Sequence, residues 1–235
     1  MLAEIERAGV DLVVDLGDTL AGPFPVETLA LLAPLGERVR HVRGNGDREL
    51  VAAFDDPGWG AGREETGMVA PVRFAAPRMG RAARDALATF EQPFALEVDG
   101  LGAVRFCHGT PRSDVEIVTA GTPEPRLRSA LDGVEEAVVV SGHTHMQLDR
   151  RAGRHRFVNP GAVGMAYEGR PGAFWAVLGP DVELRETPYD VAAAAELVRA
   201  SGFPQAEEFA AENLLAPPGP NVVVPLFEGA AQAGS

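Results

Sequence analysis

Along the first half of the chain, apolar runs of strand length alternate with segments whose apolar residues recur at helical spacing. Leu2 to Ala8 reads as a helix stopped by Gly9, and Val10 to Leu16 (VDLVVDL) as a strand. Pro23 and Pro25 introduce a helical stretch through Leu35, Arg38 to Val42 reads as a second strand, and another helix starts at Arg48 and runs to Phe54. Two strands that each feed a loop and a helix imply parallel pairing. Residues 55–76 are rich in Gly and Pro and show no periodicity, so a flexible insertion or lid is expected there.

The second half changes rhythm. After a helix from about Arg78 to Phe90, Phe94 to Val98 and Gly102 to Cys107 form a hairpin across the turn signal Asp99-Gly100. A helix near Glu124 to Leu131 precedes the buried strand EAVVVSG, after which MQLDRR, RHRFVN, GAFWAVLG and VELRETP alternate like antiparallel strands. A switch from βα units to a meander implies a second sheet packed on the first. Val191 to Ala200 and Gln205 to Leu215 read as helices; residues 1–215 then form one domain, and 216–235, Pro- and Gly-rich, a loose tail.

Composition narrows the function. The 235 residues carry 21 basic and 34 acidic side chains, a net charge of −13, and every basic residue is Arg. Duplex nucleic acid and anionic membranes are poor partners for such a surface. No apolar run approaches membrane-spanning length, and the first ten residues do not read as a signal peptide, so a cytoplasmic protein is expected. With Cys107 as the single cysteine there is no thiolate cage, and any metal must be held by His, Asp, Glu or Asn.

Four apolar runs end in, or run closely up to, a Gly beside a metal-capable side chain: VVDLGD, HVRGNGD, VRFCHG and VVVSGHTH. Such residues sit at the carboxyl ends of strands, where an α/β sheet places its ligands, and Gly permits close backbone approach. The candidates are Asp18, Asn45, His108, His143 and His145. A carboxylate able to bridge two cations, a neutral amide oxygen and imidazoles favour Mn, Fe, Zn or Ni over an all-oxygen Mg or Ca cage.

Read together, Gly17-Asp18, GNxD at Gly44 to Asp47, the single His108 before Gly109, and GHTH at Gly142 to His145 resemble the calcineurin-like metallophosphoesterase superfamily. The run SGHTHMQLDRRAGRHRFVNPGAVG resembles its small bacterial phosphodiesterase branch in particular. That resemblance implies a four-layer α/β/β/α sandwich of two mixed sheets, and hydrolysis of a small phosphorylated substrate, a phosphodiester above all, by a metal-bound hydroxide. It places the bridging carboxylate on Asp18, the other ligands of one divalent metal ion, Mn first of all, on Asn45, His108 and His143, and the last ligand of its neighbour on His145. Asp18, Asn45 and His108 are the residues it makes catalytic. The family pattern opens with a strand ending in D-x-H, whereas this sequence opens in the helix that follows, and neither ligand of that motif is matched; a binding or scaffold module on the same fold is therefore the rival expectation, and an uncovered sheet edge could promote pairing between chains. Gly46 stands where many members have a His that the branch resembled also lacks.

Other residues receive plainer readings. Asp47, just before a helix, is expected to cap it. His41 and His155 read as packing or surface residues, Cys107 as a small apolar filler, Arg43 and Arg48 as partners of surface acids, and Asn159 as a tie for the loop beside the site.

Overall fold

A computed structural model of the chain describes residues 1–63, 67–91 and 93–233. Helix α1 (Leu2–Ala8) ends at Gly9, whose φ of 66° is the left-handed cap that glycine accepts. β1 (Val13–Asp15) and β2 (Val39–His41) pair in parallel with Val14 opposite Arg40, and α2 (Pro25–Leu32) lies between them in sequence. α3 (Asn45–Asp55) and the long α4 (Val69–Ala88) follow.

Here two expectations are corrected. α3 begins at Asn45 rather than Arg48, because the Asp47 carboxylate accepts a hydrogen bond from the Gly44 backbone N–H at 2.9 Å and closes the first turn. The end of the stretch expected to be a lid, residues 69–76, instead opens the core helix expected only from Arg78: Val69, Val72, Ala76, Met79, Ala83 and Leu87 follow helical spacing and are all buried. The prolines hide this period. Pro71 falls in the first turn, where its missing N–H costs nothing, and Pro77 precedes a break at Gly80, with φ 72° and ψ 168°. Residues 64–66 of that stretch lie outside the described residues.

β3 (Phe94–Val98) and β4 (Gly102–Cys107) form the expected hairpin. After α5 (Glu124–Ala130) come β5 (Val138–Ser141), β6 (Gln147–Ala152) and β7 (His155–Pro160), completing a mixed sheet of order β3-β4-β5-β7-β6. β8 (Ala173–Leu178) and β9 (Val182–Thr187) make a separate antiparallel pair. The period-2 alternation sorts the core of the central sheet into two faces. Cys107, Val139 and Phe157 pack with Val118, Leu127 and Leu131 beneath α5, whereas Val104, Phe106, Val138 and Val140 face Val14, Leu16 and Val42 of the first pair and Leu178, Val182 and Leu184 of the second. Among the described residues the strands thus form one mixed sheet and two pairs instead of two mixed sheets, with both pairs covering one face of the sheet and α3 and α4 packed together in a further cluster. The α/β layering matches the expected class.

The chain closes with α6 (Val191–Ala200), capped by the Asp190 side chain, the short α7 (Ala206–Phe209), and α8 (Pro220–Ala233). α8 lies in the segment expected to be loose. Small residues dominate its composition, but Val223 is buried and Phe227 and Glu228 find partners in the domain.

Candidate metal centre

The strand register brings the site together. β4 and β5 run parallel with Cys107 opposite Ser141, so the residues that leave their carboxyl ends, His108 and Gly142, lie side by side, and the Gly142 N–H donates to the His108 carbonyl at 2.8 Å. β1 and β2 likewise deliver Asp18 and the Gly44-Asn45 turn to the same end. The Gly46 N–H donates to Asp18 Oδ1 at 2.6 Å, and a Cβ on Gly17 would stand 2.5 Å from the Gly44 nitrogen. Only a glycine lets these two loops touch, and its φ of 96° demands one as well.

His108 is the centre of the cluster. Its Nδ1 donates to the Leu16 carbonyl at 2.6 Å, which fixes the tautomer and leaves a lone pair on Nε2 of the neutral ring. That nitrogen faces Asp18 Oδ2 at 3.3 Å, Asn45 Oδ1 at 3.2 Å and His143 Nδ1 at 3.2 Å. Four electron-rich atoms therefore converge with no donor among them unless a proton enters. Asp18, His108 and His143 each place a ligand atom within 4.8 Å of the others.

The charges respond accordingly. Burial acts to raise the Asp18 carboxyl, but the hydrogen bond and charge of His108 and the Gly46 N–H outweigh it and bring the group down to about 2. Burial acts to depress His108, and the Asp18 carboxylate reverses this and raises it. His143, half-buried beside His108, falls to about 4, chiefly through desolvation and then through its neighbour's charge. The cluster thus draws one positive charge to a point between acceptors, which is the demand a cation meets.

His145 lies in the same loop. Its Nδ1 is buried with no hydrogen-bond partner among the described residues, and desolvation lowers its affinity for a proton. Orphaned buried nitrogens are uncommon, and a ligand is one of the few reasons to keep one. The backbone carries the same signature: Asp18, His143 and His145, with φ of 57°, 68° and 59°, are the residues other than glycine at positive φ among those described. Such conformations cost about 1–3 kcal/mol each and persist where surrounding contacts impose them. The donor set, the tautomer and the orphaned nitrogen all fit a divalent cation.

Asp47 does more than cap a helix. Its Oδ2 accepts from the backbone N–H groups of Gly44 at 2.9 Å and Asp18 at 2.8 Å, and its Oδ1 from Thr19 at 3.0 Å, so one carboxylate joins the two loops that carry Asp18 and Asn45. Full burial, then the charges of Asp18 and Asp15, push it up to about 7. The spacing signal for a helix cap was visible in the sequence; its reach to residues 29 positions earlier was not. Five of the plainer readings, those of Asn159, Arg48, His41, His155 and Cys107, agree with the structure. Asn159 donates to the Gly142 carbonyl at 2.5 Å and to Thr144 Oγ1, holding the GHTH loop. Arg48 pairs with Asp114 at 2.8 Å, His41 pairs with Asp15 and stacks on Phe90, His155 bonds the Val134 carbonyl, and the Cys107 thiol, fully buried, is pushed up to about 12.

The His143 shift has a testable sign. A base whose folded pKa is depressed stabilises the fold above its unfolded pKa, and that stability is lost as pH falls from about 6.5 to about 4. Metal-free protein should lose melting temperature across this window, and His143→Gln should lose less of it; equal pH profiles for the two proteins would contradict the placement of His143 in this cluster.

Fold and donor set together define the class of this protein, a metal-dependent phosphoesterase. The family described as the calcineurin-like phosphoesterase superfamily domain matches residues 1–179. The chain belongs to that superfamily, whose members use divalent metal ions. The hypothetical protein PH1004 of Pyrococcus horikoshii OT3 is similar in structure with a TM-score of 0.74 at 18% identity, over 89% of this chain and 88% of that one. A metallophosphoesterase from Sphaerobacter thermophilus gives a TM-score of 0.68 at 23% identity, over 92% of each chain. Both likenesses bear on the fold. No curated protein matches the sequence. Among the described residues no helix is long and apolar enough to cross a membrane.

Proposed function

We propose that this phosphoesterase hydrolyses phosphodiesters in small phosphorylated substrates, with Asp18, Asn45, His108 and His143 holding one divalent cation, Mn²⁺ first among the choices, and Asp18 and His145 serving a second. The observation that carries the reading is the convergence of Asp18, Asn45 and His143 on the bare Nε2 of His108, with the orphaned Nδ1 of His145 in the His143 loop. When bound, divalent cations supply a water nucleophile at neutral pH and positive charge for the phosphoryl oxygens.

The chain's own residues prepare the site. The Leu16 carbonyl holds the His108 ring in the tautomer that presents Nε2, and the Gly46 N–H holds the Asp18 carboxylate with Oδ2 toward His108. The low pKa of Asp18 keeps it ionised throughout the neutral range. His143, resisting protonation until about pH 4, keeps a lone pair available. Asp47 ties the Asp18 and Asn45 loops together and Asn159 holds the GHTH loop, so the donors are arranged before a cation or substrate arrives. Preference for a diester rests on the resemblance of the GHTH-to-NPGAVG run to the small phosphodiesterase branch.

The test compares Mn²⁺-loaded protein on bis(p-nitrophenyl) phosphate and p-nitrophenyl phosphate. The expected kcat/KM is at least about tenfold higher on the diester, a difference of about 1.4 kcal/mol in the barrier. Preference for the monoester would overturn the substrate class. Stoichiometric metal with hydrolysis of neither would favour a binding module.

A further inference from the structure

The C-terminal helix lies beyond the residues matched by the family, yet it reaches the candidate metal centre by two routes. The first is aromatic. Tyr167 stacks on the His145 ring with centroids 5.3 Å apart and planes 25° from parallel, and its backbone N–H donates to the His145 carbonyl at 3.0 Å. Phe227 of α8 meets the Tyr167 ring edge-on, with centroids 6.1 Å apart and planes at 70°. The second is polar. Glu228 Oε1 accepts from the hydroxyls of Thr119 at 2.6 Å and Thr122 at 2.7 Å, its other oxygen pairs with Arg126, and Thr144, between the two loop histidines, donates to the adjacent Val118 carbonyl.

The fit is close along its length. A Cβ on Gly121 would stand 2.8 Å from Val224, and the Gly169 N–H, two residues after Tyr167, donates to the Pro218 carbonyl just before the helix. The His145 ring is tied to the Met165 backbone, as that of His108 is to Leu16 and that of His143 to Val115, while its Nδ1 has no hydrogen-bond partner among the described residues and its backbone sits at φ 59°.

We infer that α8 is a positioning element of the metal centre: Phe227, acting through Tyr167, holds the His145 ring at the angle at which its free Nδ1 can ligate a cation. This rests on the metal-centre reading above. Neither Tyr167 nor Phe227 is thereby a catalytic residue; both act through His145.

The experiment is titration of the full, metal-stripped chain with Mn²⁺ by calorimetry, alongside the melting temperature of each metal-free protein. Tyr167→Phe keeps the ring and should bind as the parent does. Tyr167→Leu keeps apolar volume but loses the stack, and should bind Mn²⁺ about tenfold more weakly, the size of effect seen when an outer-shell partner of a ligand is removed. Phe227→Ala should weaken binding similarly, and the double variant Tyr167→Leu/Phe227→Ala no further than Tyr167→Leu alone, because both act along one path. Phe227→Leu carries the same test should Phe227→Ala fail to fold. Tyr167→Leu with a lower melting temperature and unchanged Mn²⁺ affinity would show plain packing and overturn the inference. Additive losses in the double variant would overturn the single path. A parent chain that binds no Mn²⁺ would overturn the metal-centre reading and this inference with it, whereas parent binding with an unaffected Tyr167→Leu overturns the inference alone.

Discussion

Asp18→Asn is expected to reduce Mn²⁺-dependent phosphoester hydrolysis by at least about a hundredfold, close to 3 kcal/mol of transition-state stabilisation. The substitution is nearly isosteric and an amide oxygen can still accept from the Gly46 N–H, so the loop has little reason to move. What disappears is the charge. Asp18 is the carboxylate beside His108 Nε2, and its negative charge is what holds His108 above its ordinary pKa and makes the cluster attractive to a cation. Retention of parental activity in the metal-loaded variant would remove Asp18 from the site. Steady-state kinetics with metal content measured on the same sample separates lost binding from lost chemistry.

Asp47→Ala is expected to have the largest effect on stability, about 3 kcal/mol in urea unfolding at neutral pH. Three backbone N–H groups, that of buried Gly44 and those of half-buried Asp18 and Thr19, would lose their acceptor at once. Each buried donor left unpaired costs about 1–3 kcal/mol, and relief of a buried carboxylate pushed up to about 7 offsets part of the sum. Asp47→Asn should fall between the two proteins, since one amide oxygen can serve the pair of donors on Oδ2 while an NH₂ group then faces Thr19. A loss below about 0.5 kcal/mol in the alanine variant would show that water reaches these groups.

The parts of this account legible in the sequence are those set by local pattern. Apolar runs ending in Gly gave the strand ends, and four such ends in order gave Asp18, Asn45, His108, His143 and His145 as candidates. The structure brings Asp18, Asn45 and His143 together around His108 Nε2 and leaves His145, in the His143 loop, with a free nitrogen. Positive φ at Asp18, His143 and His145 was not legible, because those residue types do not announce a left-handed backbone as glycine does. The first part of the helix over Val69–Ala88, before Arg78, was obscured by Pro71 and Pro77, which signal loops when read alone, although the spacing from Val69 to Leu87 is helical. The helix over Pro220–Ala233 was obscured by composition. Its anchors, Phe227 on Tyr167 and Glu228 on Thr119 and Thr122, are contacts over 60 to 109 positions in the chain, and no local pattern encodes them. Division of the strands into one mixed sheet and two pairs is likewise a property of tertiary register rather than of any single run.

The central claim is that these side chains hold a divalent cation, and the most direct measurement is the metal content of the full chain by mass spectrometry after loading with Mn²⁺ and removal of the unbound ion. Stoichiometric Mn²⁺ in the parent, lost in His143→Ala while that variant keeps a cooperative melting transition, is the result the account predicts. A folded parent that retains no stoichiometric metal, or a His143→Ala variant that retains as much as the parent, would contradict it.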